Sequence, residues 1–199
     1  LYELIRMKKI RSFALIGHSL GGSIAIAYCM FHHDRSPTSM VLVESSTSYP
    51  FGRHQLFHLG PTLSKLFHFL AHHQLIKPPL LTKDTDLSLE GVREEFHMVY
   101  HLLRLTTIRS IVKTLENAEQ FAREYKQRIN STLHNLHIPT LLIAGEQDGI
   151  IPPHFSQYIF KLVRKAELKV SIGDHRIVTQ QAPEISHLIE GFLQQKGLS

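Results

Sequence analysis

Short apolar runs alternate with segments of helical period along most of the chain. The first run, residues 12–18, ends at a Gly-His pair, and residues 23–31 after it are apolar on every side. This order predicts a strand, a tight turn and a buried helix. Further runs at 40–43, 140–145 and 168–172 end in polar residues or glycine. Because segments of helical character separate these strands, we predict an α/β fold with a mostly parallel sheet and right-handed crossovers.

Two helices are predicted in the C-terminal third. Apolar residues recur at helical spacing in two groups: Phe155, Tyr158, Ile159, Leu162 and Val163, then Ile185, Leu188, Ile189, Phe192 and Leu193. Pro183 lies near the first turn of the second group and Gly197 lies past its end, as is typical of helix boundaries.

Residues 49–134 differ from the rest, since they are helical in period and have almost no strand signal. We predict a helical cap insertion there, between core segments 1–48 and 135–199. Residues 51–81 hold Lys, Arg and His among apolar residues but no acid. Three interpretations stay open: a cap over a pocket, contact with an anionic membrane surface, and packing on the core. His68, His72 and His73 make a weak metal motif, because no Cys, Asp or Glu is near.

Composition narrows the class of protein. The chain has 199 residues, is 43% hydrophobic and 20% charged, and has no apolar run long enough to span a bilayer. We therefore expect a soluble domain with a real core. Lys and Arg are scattered despite a net charge of +5, so we expect no nucleic-acid partner. The single Cys29 excludes an intrachain disulfide and favours a reducing, cytoplasmic compartment.

A serine flanked by glycines follows the first strand, in the sequence GHSLGG at residues 17–22. A strand that turns directly into a helix drives the turning residue towards positive φ, which costs about 1–3 kcal/mol. The positions two before and two after, Gly17 and Gly21, are expected to be small. This turn lifts the Ser19 hydroxyl clear of the sheet and directs the Leu20 N–H at an oxygen bound beside it.

The sequence of this turn is compatible with two other interpretations. Gly17 and Gly22 are spaced like the glycines of a phosphate loop, but Ser23 stands where that loop requires lysine. A plain tight turn is the other alternative, which the flanking strand and buried helix disfavour.

A serine becomes nucleophilic when a base takes its proton and a third group orients that base. Asp148 follows the third strand and His175 follows the fourth. Because the carboxyl ends of parallel strands open on one edge of a sheet, we expect Ser19, Asp148 and His175 to meet there.

Three motifs carry a resemblance to the α/β-hydrolase fold superfamily, in particular its cap-containing, esterase- or lipase-like serine hydrolases. GHSLGG at 17–22 resembles the nucleophile elbow, IPTLLIAGEQD at 138–148 the strand and loop of the acid, and GDH at 173–175 the histidine loop. The resemblance covers nearly the whole chain. It implies Ser19 as nucleophile, His175 as base and acid, Asp148 as the orienting acid, the Leu20 N–H as one oxyanion donor, and no cofactor.

The chain departs from the superfamily at its start. The superfamily takes a second oxyanion donor from a loop after an earlier strand, and this chain begins downstream of where that loop would be. We therefore expect the N-terminal strands and the second donor to be absent, and the fragment alone to be inactive or poorly stable.

Each candidate residue also has a structural interpretation. Asp148 is suited to forming a turn, and His175 is one of 15 histidines. Glu44, at the end of the second strand, is the backup acid, although a surface position is the more ordinary expectation. Asp174 is expected to be structural, and His18 is expected to line or support the site.

Together these features predict a serine hydrolase that cleaves an ester or related acyl bond of a small apolar substrate through an acyl-enzyme. The alternatives are a non-catalytic module of the same fold that binds a small hydrophobic ligand, and an inactive fragment. We expect no bound metal and a small-molecule acyl substrate as the partner.

Overall fold

The computed structural model describes residues 1–48 and 108–197. The chain divides into two units, Leu1–Pro50 with Gln120–Ser199, and Phe51–Glu119. Most of the predicted insertion at 49–134 lies outside the described residues, so the insertion and its boundaries stay a prediction.

The first unit contains a parallel sheet of four strands. These are β1 (Ala14–His18), β2 (Ser39–Val43), β3 (Thr140–Gly145) and β4 (Ala166–Ser171), in that spatial order. All three pairings are parallel, which confirms the predicted α/β fold class. The fourth strand begins and ends slightly earlier than the predicted 168–172.

Helices lie between the strands along the chain. In chain order they are α1 (Tyr2–Met7), α2 (Leu20–Phe31), α3 (Ile108–Glu124), α4 (Lys126–His134), α5 (His154–Leu162), α6 (Ile177–Gln180) and α7 (Ala182–Gln195), with a short 3-10 helix at His33–Arg35. Helix α2 begins at Leu20, directly after the turn at Ser19, as the sequence predicts. Among the described helices, none is both long and apolar enough to cross a bilayer.

The buried strands separate two hydrophobic cores. Met40 and Leu42 of β2 pack in one core with residues of α2, α4 and α5, whereas Val41 and Val43 pack in the other with residues of α6 and α7. Successive side chains of a strand point to opposite faces, so a continuous apolar run is what a sheet covered on both faces requires. Ile129 of α4 belongs to the first core.

Backbone hydrogen bonds continue past the carboxyl ends of the strands and fix the loops that follow. Ser19 N–H donates to the Val43 carbonyl (2.9 Å), and Glu44 N–H donates to the Ile143 carbonyl (2.8 Å). The residues that directly follow β1 and β2 are therefore held at defined heights above one edge of the sheet.

Candidate active site

Ser19 lies on the sharp turn between β1 and α2, with φ 54° and ψ −119°. This conformation is unfavourable for a residue with a Cβ and is the strained turn that the sequence predicts. The turn is tight enough that a Cβ at Gly17 would come within 2.5 Å of the carbonyl of Gly21. Glycine at position 17 is therefore a steric requirement of the elbow.

The second steric requirement falls on Gly22 rather than on Gly21. A Cβ at Gly21 would meet no atom within 4 Å among the described residues, whereas a Cβ at Gly22 would collide with the side chain of Ser45. The expectation that Gly21 must be small for the same reason as Gly17 is thus not met in the described part of the chain. Gly22 lets α2 approach the loop that follows β2.

Three side chains from three strand ends form a chain of hydrogen bonds. His175 Nε2 lies 2.9 Å from Ser19 Oγ, and His175 Nδ1 lies 2.8 Å from Asp148 Oδ2. Ser19 and His175 are 156 positions apart in sequence, and Asp148 comes from the loop after β3. The expected meeting of these residues at one edge of the sheet is therefore observed.

Asp148 is anchored by its other carboxylate oxygen. Oδ1 accepts hydrogen bonds from the N–H groups of Ile150 (2.8 Å) and Ile151 (2.7 Å), and the residue is buried. Hydrogen bonds to an ionised carboxylate favour the charged form. The turn-forming role and the role of orienting His175 are thus carried by different oxygens of one side chain.

The electrostatics of the site favour a basic His175. Burial disfavours the charged imidazolium and acts to lower the pKa of His175, but the hydrogen bond and charge of Asp148 outweigh it and raise the pKa overall. A raised pKa strengthens His175 as an acceptor of the Ser19 proton.

Leu20 is the first residue of α2. Its N–H therefore has no acceptor within the helix, as is general for the first turn of a helix. A free N–H next to Ser19 at the positive end of the helix dipole is suited to binding an oxyanion.

Glu44 is fully buried, so the expectation of a surface position is wrong. It follows β2 with φ 48°, and its Oε2 lies 3.1 Å from His18 Nε2 and 3.9 Å from His175 Nδ1. Burial raises the pKa of the Glu44 carboxyl, even though the hydrogen bond from His18 acts to lower it. The acid at hydrogen-bond distance from the His175 ring is Asp148, and Glu44 lies farther from the same ring nitrogen.

Two neighbours of the site support its loops. His18, which ends β1, places Nε2 within 3.2 Å of the His175 carbonyl as well as near Glu44. Asp174 forms a two-pronged ion pair with Arg176 (2.7 and 3.2 Å), which lowers the pKa of Asp174 to about 2. Asp174 therefore braces the histidine loop, as the structural interpretation expects.

Within the described part of the chain, one cluster has the composition of a metal site. Ligand atoms of His18, Glu44 and His175 lie within 4.8 Å of one another. Both ring nitrogens of His175 are, however, engaged by Ser19 and Asp148. While the hydrogen bonds to Ser19 and Asp148 are intact, His175 has no ring nitrogen available to a metal. The candidate ligands His68, His72 and His73 lie outside the described residues.

A parallel sheet that brings a serine elbow, an acid and a histidine to one edge defines the class of α/β hydrolases. The family model described as serine aminopeptidase, S33, matches residues 2–175. The chain belongs to this family of α/β hydrolases. No curated protein sequence matches the chain.

Solved structures of α/β hydrolases share the fold. The chain is similar to a structure from a study of carboxylesterases of the thaumarchaeon Nitrososphaera gargenis, with TM-score 0.64 and 19% identity over 98% of this chain and 70% of the other. It is also similar to the enol-lactonase of Burkholderia xenovorans LB400, with TM-score 0.62 and 18% identity over 96% and 69% of the two chains. The esterase EaEST of Exiguobacterium antarcticum matches with TM-score 0.62 and 15% identity over 97% and 70%. At these identities the likeness is one of fold.

Proposed function

We propose that this hydrolase cleaves an ester or related acyl bond with Ser19 as nucleophile, His175 as general base and acid, and Asp148 as the orienting acid. The observation that supports the proposal most is the hydrogen-bond chain from Ser19 Oγ through the His175 ring to Asp148, with distances of 2.9 and 2.8 Å. These are the distances that proton transfer requires.

In the acylation half of the proposed reaction, Ser19 Oγ attacks the substrate carbonyl carbon while its proton moves to His175 Nε2. The negative charge passes to the carbonyl oxygen, where the Leu20 N–H is one donor. The tetrahedral intermediate collapses, the bond to the leaving group breaks, and that group takes the proton from His175. Asp148 stabilises the transient imidazolium and holds Nδ1 as the protonated nitrogen.

In the deacylation half, water replaces the leaving group. His175 Nε2 takes a proton from the water as its oxygen attacks the acyl carbon, and the Leu20 N–H again faces the oxyanion. Collapse releases the carboxylic acid and returns the proton to Ser19 Oγ. No cofactor enters either half.

The proposed substrate is a small apolar acyl compound, with an ester as the first choice. Support for the bond type comes from similar folds named as carboxylesterases, an enol-lactonase and an esterase. The family description names an aminopeptidase, so an aminoacyl amide is the substrate to compare. Support for an apolar acyl group comes from the apolar, acid-free sequence of residues 51–81, which lie outside the described residues.

The test is active-site labelling of the full-length protein with a fluorophosphonate probe. We expect labelling at Ser19, its loss in Ser19→Ala, and normal labelling in His187→Gln, since His187 lies exposed on α7. A series of nitrophenyl esters of increasing acyl length, run beside aminoacyl anilides, then separates ester from amide preference. A folded protein that neither reacts with the probe nor hydrolyses any ester or anilide would favour the non-catalytic binding module.

A further inference from the structure

The proposed reaction leaves one buried acid of the site without a role. Glu44 is completely buried, yet it is not the residue bonded to the His175 ring. It also holds an unfavourable positive φ of 48°. Burying a carboxyl group in a strained backbone conformation is costly, so its contacts need an explanation.

The two oxygens of Glu44 have different surroundings. Oε2 is 3.1 Å from His18 Nε2, whereas Oε1 has no hydrogen-bond partner among the described residues. A Cβ at Gly145 would come 2.7 Å from Oε1, 2.7 Å from the Gly173 carbonyl oxygen and 3.1 Å from that of Asp174. Oε1 thus shares the space beside Gly145 with two acceptors. The negative ends of these two carbonyl dipoles would repel a charge on Oε1, whereas a protonated Oε1 would avoid that repulsion.

His18 connects this carboxyl to the histidine loop. Its Nε2 lies 3.1 Å from Glu44 Oε2 and 3.2 Å from the His175 carbonyl oxygen, and both of these atoms are acceptors. One N–H on Nε2 can be shared between them, which requires the tautomer of His18 that is protonated at Nε2. The end of β1, the loop after β2 and the loop after β4 are joined through this one imidazole.

We infer that His18 and Glu44 are positioning residues for His175, and that Glu44 acts as a neutral, polar side chain rather than through a negative charge. This inference rests on the proposed function, because the group being positioned is the proposed base. His18 contacts the His175 carbonyl directly. Oε1 of the neutral Glu44 lies in the same space beside Gly145 as the Gly173 and Asp174 carbonyls of that loop.

The charges around Glu44 are consistent with a neutral acid. Among the described residues, three titratable groups face it: His18 from the end of β1, His175 from the loop after β4, and Asp148 from the loop after β3. Asp148 already has two backbone N–H donors and the His175 ring to stabilise its charge. When two carboxyl groups share a site, the one with fewer donors holds its proton. Burial, which raises the pKa of the Glu44 carboxyl, acts in the same direction.

The test compares pairs of variants that keep or remove the hydrogen-bonding groups at constant length. Glu44→Gln keeps an acceptor and a donor where the neutral acid has them, and Glu44→Met keeps neither. His18→Gln keeps a donor near the position of Nε2, and His18→Met removes it. His187→Met, on the exposed face of α7, controls for the loss of a histidine. The readouts are the second-order rate of fluorophosphonate labelling and the ¹⁵N NMR signals of the histidine rings.

We expect Glu44→Gln to label within about threefold of wild type, and Glu44→Met and His18→Met to fall by about tenfold or more. The His18 ring should be in the Nε2–H tautomer. Equal losses in Glu44→Gln and Glu44→Met would overturn the inference, because they would show that the charge is what counts. Full labelling of Glu44→Met would overturn it as well.

The ¹⁵N NMR signals of the histidine rings decide two further cases. If the methionine variants do not fold, the tautomer of His18 in the wild-type protein decides, and the Nδ1–H form would overturn the inference. If wild-type Ser19 is not labelled, the proposed function fails. The tautomer still reports whether the His18–Glu44 contact exists.

Discussion

Asp148→Asn is expected to abolish most of the activity while leaving the fold intact, because an amide in this site orients the wrong way. Asp148 Oδ1 accepts two backbone N–H groups, from Ile150 and Ile151, and Oδ2 accepts His175 Nδ1–H. An asparagine can present oxygen to only one of these sides. Keeping its oxygen on the two backbone donors places its NH₂ group against His175 Nδ1.

The preference between the two orientations follows from the hydrogen bonds. Turning the amide round would leave the buried Ile151 N–H and the part-buried Ile150 N–H facing another donor, at about 1–3 kcal/mol for the buried group. The orientation that satisfies the backbone is thus favoured by about 2 kcal/mol or more, a factor of about 30. In that orientation His175 must carry its proton on Nε2, where it cannot accept the proton of Ser19. With the lost stabilisation of the imidazolium, we expect turnover to fall by about 10³–10⁴-fold.

The assay is ester hydrolysis and probe labelling of Asp148→Asn beside Glu44→Gln. The second variant makes the same chemical change in a carboxyl 3.9 Å from the same ring nitrogen. Thermal unfolding should give nearly the same midpoint for wild type and Asp148→Asn, since the backbone contacts of Oδ1 are kept. Activity of Asp148→Asn within tenfold of wild type, or equal losses in the two variants, would refute the assignment of the acid.

Three other predictions concern stability, pH and reactivity. Gly22→Ala should lower the free energy of unfolding by about 1–3 kcal/mol, because the new methyl group meets Ser45, whereas Gly21→Ala should not lower it; chemical denaturation compares the two. Labelling should decline as pH falls through the raised pKa of His175, with a midpoint above about 6.5. A labelling midpoint below 6.5 would contradict the raised pKa of His175. The stability that the raised pKa contributes is complete below about pH 6.5 and is lost as pH rises through the folded-state pKa. Burial raises the pKa of the Cys29 thiol to about 11, so a thiol reagent should react only at the rate of unfolding, and fast reaction of the native protein would be unexpected.

The sheet and the site could be predicted because both depend on local patterns. The apolar run at 140–145 matches β3 residue for residue, since a strand buried on both faces is apolar along its whole length. The strand-end rule placed Ser19, Asp148 and His175 together without any knowledge of the loops between them. The rule works because the polar ends of parallel strands meet at one edge.

The remaining features depend on contacts that sequence periodicity does not encode. Helix α1 buries only Ile5, and α6 is a single turn, so neither carries a periodic signal. Glu44 was expected at the surface because an isolated glutamate is ordinarily solvated. Its position directly after a fully apolar strand, next to the elbow strand, was the available signal that it lies within the site. The place of His18 beside the elbow predicts that it supports the site, but its contact with Glu44 joins residues 26 positions apart and has no sequence signal.

The positive φ angles at Ser19 and Glu44 set a limit on how stable this protein can be. Each residue directly follows one of two neighbouring strands, and glycine would adopt either conformation without the steric cost that a Cβ brings. Selection for thermal resistance alone would therefore place glycine at both positions. Under the proposed function, the side chains at these two positions reduce stability in favour of reactivity at this edge of the sheet. Efforts to stabilise the protein should therefore begin elsewhere, on surfaces remote from these two turns.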